Sequence, residues 1–526
     1  MNSPARRLTV AALAAVLCAA GLASAADEVA LDVKKRVLAN GMTVLVVERH
    51  NAPVMATYIH YKVGSANEWP GMIGAAHLLE HMLFKGTTTL GTRDYAREAP
   101  LLVREDSIRA AIAAEERKAQ LYAFQRAIGI TDAPDNGATI EKLHAELESV
   151  KTMLDALVEK NAYEQLYSRN GASGFNAGTG YDGTTYFVNL PANRLGLYLT
   201  VEADRMTNPV LREFYAERDV VIEERRLKVD NEGVAKLFEQ LIGTAFIAHP
   251  YQIFWEWTSE VAQLTRPKLV DFYKRYYAPN RMVLAIVGDV KAEEVFTRAE
   301  AAFGKIPRQP DPDPVVTVEP EQQGERRVIQ KFDAEPYLSV AYHKTAFDDP
   351  DDIVYRVLHR LLSDGRTSRL YKSLVIDQQL ATNVSTYEFP GSQSGDLDPN
   401  VFVVDVEPRS PHTTAECEAA LYAELEKVAG TPADPRELEK IKNRIESDFI
   451  WSLYSNLGLA NQLAEYEARA GDWRYLLTIR DRLARVTAED IMRVARRTFT
   501  ADNRTVATLV PLSDDQAAAN GEGEGQ

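Results

Sequence analysis

Two histidines and a glutamate stand close together in the segment His77-Leu78-Leu79-Glu80-His81. On a helix, residues three and four apart share one face, so the two imidazoles could hold a metal ion between them. The pattern H-x-x-E-H is the inverted form of the common zinc-peptidase helix. A zinc ion at such a site needs three protein ligands and one open position. His77 and His81 are therefore candidate ligands, and Glu80 is a candidate general base. A structural Glu–His pair on an amphipathic helix is the alternative.

An acidic segment further along the chain, Glu217 to Glu224, is the best candidate source of a third ligand. Glu217 and Glu224 are seven residues apart, or two helical turns, and so face the same way, whereas Glu223 points aside. One of the two carboxylates could bind zinc while the other accepts a hydrogen bond from a ligand histidine. The alternative is an ordinary solvated face of a helix.

The histidine segment is predicted to be a helix that follows a loop broken by glycines. Gly71 and Gly74 interrupt the chain before the apolar periodicity of residues 75–84, and Gly86 ends that periodicity. Around it the first half shows a hairpin turning at Asn40-Gly41, further strands and two helices. The strand-like stretches are 35–38, 42–48, 56–63, 174–190 and 282–287, and the helical ones are 197–206 and 213–229.

A stretch from about 93 to 167 has a different composition, rich in Ala, Glu, Lys, Leu and Arg. Its two helical runs, 108–117 and 140–164, are separated by the turn composition of residues 131–137. We therefore predict a helical hairpin inserted in the first domain. Its charged faces are either solvated or available for a partner.

The pattern of the first half begins again after a stretch rich in Pro, Asp, Glu and Gln at 307–325, which is predicted to be a linker. A strand at 337–343 and a helix at 352–362 follow. The two halves also end alike, since residues 277–281 and 499–504 each lead into an apolar strand. This indicates an internal duplication at domain scale. Residues 514–526 are predicted to be a disordered tail.

The first 25 residues have the composition of a secretory signal peptide. Arg6 and Arg7 form a basic start, residues 8–22 are apolar, and A-S-A at 23–25 offers a cleavage site. We predict export to the periplasm or the medium, with a mature chain that begins at Ala26 and has no membrane span. A retained signal anchor is the alternative.

The remaining composition limits the kinds of partner and cross-link. A formal net charge of −16 argues against nucleic acid as a general partner, because phosphate binding needs a basic surface. Removal of the signal peptide would leave Cys417 as the sole cysteine, so no intramolecular disulfide is expected.

Six stretches carry the most specific signal in the sequence. They are Gly64–Glu68, Gly74–Thr87, Asn176–Tyr186, Glu217–Glu224, His249–Tyr251 and Tyr276–Asn280. Together they resemble the pitrilysin, insulin-degrading enzyme and mitochondrial processing peptidase family of zinc endopeptidases. The resemblance covers most of the mature chain apart from the helical insert.

The resemblance implies a complete zinc site, with one Zn2+ per chain. His77, His81 and Glu224 would be the ligands, Glu80 the general base, and Glu217 the support of a ligand histidine. The implied activity is hydrolysis of peptide bonds in short or unfolded peptides within an enclosed chamber.

The resemblance also implies a substrate strand and a fold. Asn176-Ala177 would lie on an edge strand that pairs with the peptide main chain. The implied fold is α+β, with two homologous domains at 26–306 and 326–513, each an antiparallel sheet with helices packed on one face. Together they would form one half of a clamshell, with the insert between the metal helix and the substrate strand.

The second half departs from the pattern of an active site. Aligning Gly86 with Gly365 places Arg356, His359 and Arg360 at the positions of His77, Glu80 and His81, so no metal is expected there. In the family, an Arg and a Tyr seven residues apart grip the substrate carbonyl. The corresponding stretch here is 374–384, in which Val375 and Thr382 occupy the positions of the Arg and the Tyr.

The missing pair suggests that the chain is not sufficient alone. We expect a heterodimer with a subunit of similar length that lacks the metal motif and supplies the Arg and Tyr. The alternatives are an active homodimeric peptidase and a noncatalytic peptide-binding or scaffolding subunit of the same fold.

Overall fold

The computed structural model describes residues 31–130, 134–391 and 394–512. The predicted signal peptide (1–25) and tail (514–526) lie outside the described residues, as does part of the predicted turn at 131–137. Within the described ranges, no helix has the length and apolar character that crossing a membrane requires.

The first half is built on a six-stranded sheet in the order β1-β2-β6-β3-β5-β4. Strand β6 is buried along its whole length and is therefore a continuous apolar run, whereas β4 is an edge strand. The strands are β1 (Val33–Val37), β2 (Thr43–Glu48), β3 (Val54–Tyr61), β4 (Ser173–Thr179), β5 (Thr184–Pro191) and β6 (Met282–Gly288).

Helices of the first half cover one face of this sheet, and their apolar side chains form its main core. All helices of the first half, including α7 and the hairpin α2–α3, which pack elsewhere, are α1 (Ala75–Met82), α2 (Tyr95–Ala127), α3 (Gly137–Asp155), α4 (Ala162–Arg169), α5 (Leu195–Thr207), α6 (Phe214–Arg225), α7 (Gly233–Ala245), α8 (Thr258–Val261), α9 (Arg266–Tyr276) and α10 (Ala292–Phe303). A π-helical segment, Arg226–Asp230, continues α6 toward α7.

The second half repeats this arrangement with a five-stranded sheet. Its strand order, β7-β11-β8-β10-β9, matches β2-β6-β3-β5-β4 of the first sheet position by position. The strands are β7 (Arg326–Phe332), β8 (Tyr337–Lys344), β9 (Ala381–Phe389), β10 (Asn400–Pro408) and β11 (Arg504–Pro511). The helices are α11 (Asp352–Ser363), α12 (Thr414–Gly430), α13 (Pro435–Tyr454), α14 (Asn456–Ala470), α15 (Tyr475–Arg485) and α16 (Ala488–Thr498).

The sheets differ from the prediction in containing one parallel pair each. Strand β6 pairs in parallel with β2, and β11 pairs in parallel with β7. In both halves the last strand enters between two strands that run in opposite directions. It is antiparallel to one of them (β3 or β8) and must therefore be parallel to the other. The α+β class and the two repeated domains are as predicted.

The two halves exchange helices, which the prediction of helices on one face did not foresee. Helix α7 of the first half packs on β7, β8 and β11, and α14 of the second half packs on β3 and β6. Apolar residues of α14, such as Leu459 and Leu463, join Leu45, Tyr58 and Val283 in one buried cluster. Each sheet is therefore covered on its second face by the other half.

The helical insert forms the predicted hairpin of α2 and α3, joined by an apolar seam that includes Ile108, Ile112 and Leu147. The second helix is shorter than predicted, since α3 ends at Asp155 and α4 begins separately at Ala162. Residues 307–323 between the two halves contain neither helix nor strand.

A buried arginine connects the insert to the segment that follows the histidine-bearing helix α1. The Arg212 guanidinium, 1% exposed, pairs with Glu98 of α2 and donates to the carbonyls of Lys85 (2.6 Å) and Thr87 (2.6 Å). Removing one partner of a buried pair leaves an uncompensated charge. We expect Arg212→Met to lower the free energy of unfolding by about 3–5 kcal/mol.

The effect is measured by denaturant unfolding of Arg212→Met and of a control, Arg97→Met, which alters an exposed arginine on α2 next to Glu98. A loss no larger than that of Arg97→Met would show that Arg212 does not hold the insert in place.

Candidate metal centre

Helix α1 is fixed so that one face is buried and the other faces a cavity. Its residues Ala75, Ala76, Leu78, Leu79 and Met82 are buried in the core of the first half. The Glu68 carboxylate accepts hydrogen bonds from the first amides of the helix, Gly74 N (2.8 Å) and Ala76 N (2.7 Å). The remaining positions, 77, 80 and 81, therefore project together into the cavity.

The structure brings the three predicted ligands together. Ligand atoms of His77, His81 and Glu224 all lie within 4.8 Å of one another, and His77 Nε2 is 3.8 Å from Glu224 Oε2. Ligand atoms around a tetrahedral zinc ion lie about 3.4 Å apart, given bonds of about 2.1 Å. The three side chains are partly buried, at 18–28% exposure, which leaves access to a substrate. This donor set fits one zinc ion.

Each histidine is oriented by a carboxylate on its other ring nitrogen. His81 Nδ1 is 2.9 Å from Glu217 Oε1, and His77 Nδ1 is 2.6 Å from Glu256 Oε1. Such hydrogen bonds hold the ring and leave Nε2 for the metal. Glu217 lies where the sequence predicted it, beside a candidate ligand.

Glu256 was missed by the sequence analysis. It lies in an irregular segment before α8, 179 residues from His77, where no helical periodicity relates the two. The one local signal is its position between two tryptophans, Trp255 and Trp257. The Trp255 ring packs edge-on against the His77 ring, with the centroids 5.8 Å apart.

The charges of the site shift two pKa values in opposite directions. Burial lowers the pKa of His77, but the hydrogen bond to Glu256 and the nearby carboxylates raise it to about 9. Burial raises the pKa of Glu217, but hydrogen bonds from His81 and Lys85 lower it to about 2. The concentration of carboxylates that attracts a proton to His77 would equally attract a divalent cation.

Glu80 stands beside the three candidate ligands and is held by β4, the predicted substrate strand. Thr179 Oγ1, on β4, donates a hydrogen bond of 2.7 Å to Glu80 Oε2. The other carboxylate oxygen has no partner among the hydrogen bonds of the described residues, and Glu80 lines the cavity. Its position is suited to proton transfer with a bound water.

The cavity in front of the site has a volume of about 940 Å³ and is walled on one side by β4. Asn176 and Ala177 lie on this edge strand, as predicted, and both line the cavity. The N–H of Ala177 donates to Asn176 Oδ1 at 2.9 Å. Phe389 and Ser394 of the second half complete the wall.

At the positions of the second half that correspond to the metal site, the side chains form ion pairs and a hydrogen bond. Arg360 on α11 pairs with Asp448 (2.8 Å) and Asp364 (2.9 Å), and His359 Nδ1 is 2.8 Å from Thr386 Oγ1. Among the described residues, the group that could hold a metal is that of the first half. Neither Val375, which is buried, nor Thr382 lines the cavity.

Comparisons with known proteins place the chain in a family of peptidases. A family model described as "Insulinase (Peptidase family M16)" matches residues 43–104 and 148–254, and one described as "Peptidase M16 inactive domain" matches residues 263–445. The chain belongs to peptidase family M16. The unmatched residues 105–147 fall within the helical insert.

Individual relatives agree with this assignment. The chain is 26% identical over 488 residues to the zinc protease PqqE of Helicobacter pylori, covering 90% of this chain and 92% of that one. The fold is similar to the crystal structure of a protease from Helicobacter pylori (TM-score 0.73, 24% identity, 91% and 100% coverage). It is also similar to the periplasmic protease PqqL from Escherichia coli (TM-score 0.65, 16% identity), covering 93% of this chain but 50% of that one.

The contact between Glu256 and His77 predicts an effect on metal binding. Loss of an outer hydrogen-bond partner commonly weakens metal affinity about 10–100-fold. We expect Glu256→Ala to weaken zinc binding by this factor, as measured by competition with a chromogenic chelator. Glu223→Ala removes an equal charge from an exposed position paired with Arg226 and should bind zinc as the unaltered chain does. Equal affinities for the two variants would contradict the role given to Glu256.

Proposed function

We propose that the chain is a zinc metalloendopeptidase that cleaves short or unfolded peptides. The observation that carries the proposal is the convergence of His77, His81 and Glu224 beside Glu80, in a cavity walled by an edge strand. One zinc ion per chain would be held by the three ligands. When bound, it would act as a Lewis acid toward the scissile carbonyl and the attacking water.

The residues of the chain would carry the proton. Glu80, held through one oxygen by Thr179, would accept a proton from the attacking water on its other oxygen. It would then deliver that proton to the nitrogen of the leaving amine. The backbone of β4 would hold the peptide extended through main-chain hydrogen bonds, which make few demands on its sequence. A folded domain does not fit a cavity of about 940 Å³.

The direct test is cleavage of an unstructured peptide by the zinc-loaded protein, followed by mass spectrometry. Products that appear with zinc and disappear with a chelator support the proposal. Zinc binding at one ion per chain without any cleavage, alone or with a partner, would instead favour a noncatalytic peptide-binding subunit.

A second subunit is part of the proposal. The chain corresponds to half the length of PqqL, and Val375 and Thr382 stand where the Arg and Tyr of the resemblance would be. A partner of similar length, without H-x-x-E-H, would close the chamber and supply that pair. Full activity from the purified chain would refute this, and sedimentation of that sample would then distinguish a homodimer from a monomer.

Export is also proposed, from the composition of the first 25 residues. The mature protein isolated from the periplasm or the medium should begin at Ala26. An intact amino terminus in a membrane fraction would indicate a retained anchor instead.

A further inference from the structure

The edge of β4 offers backbone groups that alternate in direction. Gly180 N donates to Gly183 O at 2.8 Å and closes the hairpin, so Gly180, and with it Gly178, faces β5. Hydrogen-bonding groups in an antiparallel strand alternate sides. The main-chain groups of Ala177 and Thr179 therefore face away from the sheet, where a peptide strand would pair. Beyond them, the carbonyl of Tyr181 already accepts a hydrogen bond from Ala66 N (2.9 Å).

One end of this edge is already occupied by the second half. The N–H groups of Tyr181 and Asp182 both donate to the carbonyl of Ser394, in the loop between β9 and β10. The approach is close, since a Cβ on Gly180 would lie 2.3 Å from that carbonyl oxygen. Leu397 N also donates to Asp182 Oδ2 (3.0 Å), which anchors the loop. An added strand cannot continue past Tyr181.

The general base lies next to the closed end. Glu80 on α1 bonds to Thr179, whereas Phe84, two residues beyond the end of α1, packs its ring on Phe175, with the centroids 5.1 Å apart. Helix α1 therefore runs antiparallel to β4. On one side of Thr179 the edge available for pairing ends at Tyr181, and on the other side the strand lines the cavity back to Ser173.

We propose that this cleft takes peptides with the amino terminus at the closed end and releases short amino-terminal fragments. The proposal rests on the peptide-bond hydrolysis proposed above and narrows it to bonds close to a free, unfolded amino end, in place of internal bonds. A strand antiparallel to β4 points its amino terminus toward Tyr181, and antiparallel pairs are the more stable and more common kind. At about 3.3 Å per residue, the space from Thr179 to Tyr181 holds about two residues.

The first test is a set of unstructured peptides with one common sequence, extended at the amino or the carboxyl end. The peptides are incubated with a high concentration of the zinc-loaded protein, together with its partner subunit if one is required. The Glu80→Gln variant serves as the negative control for cleavage. We expect fragments of about two residues from the amino end of every peptide, whatever its length. Cuts at a fixed internal sequence, or short fragments from the carboxyl end, would overturn the proposal.

A binding experiment separates this inference from the proposed function. Zinc-loaded Glu80→Gln is titrated with a peptide carrying a fluorophore on either its amino or its carboxyl end. A bulky group at the amino end should weaken binding about tenfold or more, a difference of about 1.4 kcal/mol. Equal affinities would overturn the closed end even if cleavage occurs. If the amino-terminal label weakens binding but the unaltered protein cleaves no peptide, the closed end of the cleft is supported and the proposed peptidase activity is refuted.

A substitution can test whether the loop that carries Ser394 forms the closed end. A Cβ at Gly395 would lie 2.8 Å from Tyr181 Cβ, so Gly395→Val should push the loop away from the strand. We expect it to release longer amino-terminal fragments at unchanged zinc content. Gly430→Ala, where no atom lies within 4 Å of the added Cβ, should cut as the unaltered chain does. A folded Gly395→Val protein that still releases the same short fragments would exclude the loop as the wall.

Discussion

Replacement of Glu80 by glutamine should leave zinc bound and lower kcat by about 10²–10⁴-fold, the range that positioned acid–base groups contribute. The amide keeps the size of the side chain and can still bond to Thr179, which donates to Glu80 Oε2 in the structure. It cannot accept the proton of the attacking water. Peptide cleavage and zinc content, measured on the same sample, test the prediction.

A matched control for this prediction is Glu223→Gln. Glu223 lies on α6 with 49% of its side chain exposed and pairs with Arg226, so its replacement should leave both cleavage and zinc content unchanged. Cleavage by Glu80→Gln at the rate of the unaltered chain would mean that another group transfers the proton.

Replacement of His81 by alanine should abolish stoichiometric zinc binding. It removes one of three ligands and leaves Glu217 without its imidazole partner. A ligand that binds the native state stabilises it by about 2.7 kcal/mol at a concentration one hundred times its Kd. The unaltered chain should therefore melt at a higher temperature when zinc is added, and His81→Ala should not.

The control for this experiment is His144→Ala, at an exposed position on α3, which should keep both the zinc and the shift in melting temperature. Zinc at one ion per chain in His81→Ala would contradict the ligand assignment. A shift retained in both variants would point to zinc bound elsewhere on the surface.

The sequence predicted which residues come together at the candidate metal site because most of them obey helical spacing. His77, Glu80 and His81 share one face of α1, and Glu217 and Glu224 are two turns apart on one helix. Glu256 escaped notice because an irregular segment carries it to His77. Spacing along the chain holds no information about such a contact.

The fold was predictable at the level of its elements and less so in how they pack. Alternation and apolar runs located most strands, including the buried β6, within a few residues. The apolar faces of α7 and α14 indicate that each helix is packed against other elements. They do not indicate that each packs on the sheet of the other half. The parallel pairs also depend on the order of strands in space, which the order along the chain does not give.

Because α7 and α14 are exchanged, the fold of the first half depends on the second half. This holds although the described residues of the second half offer no group of metal ligands. Cutting the chain at residues 307–325 would strip a helix from each sheet and expose apolar rows, including Leu45 and Val283 on one side and Val401 and Val403 on the other. The first repeat is thus not expected to fold when it is separated from the second. A gene fragment encoding it alone should yield an aggregating product, because its sheet would expose the apolar residues that α14 covers.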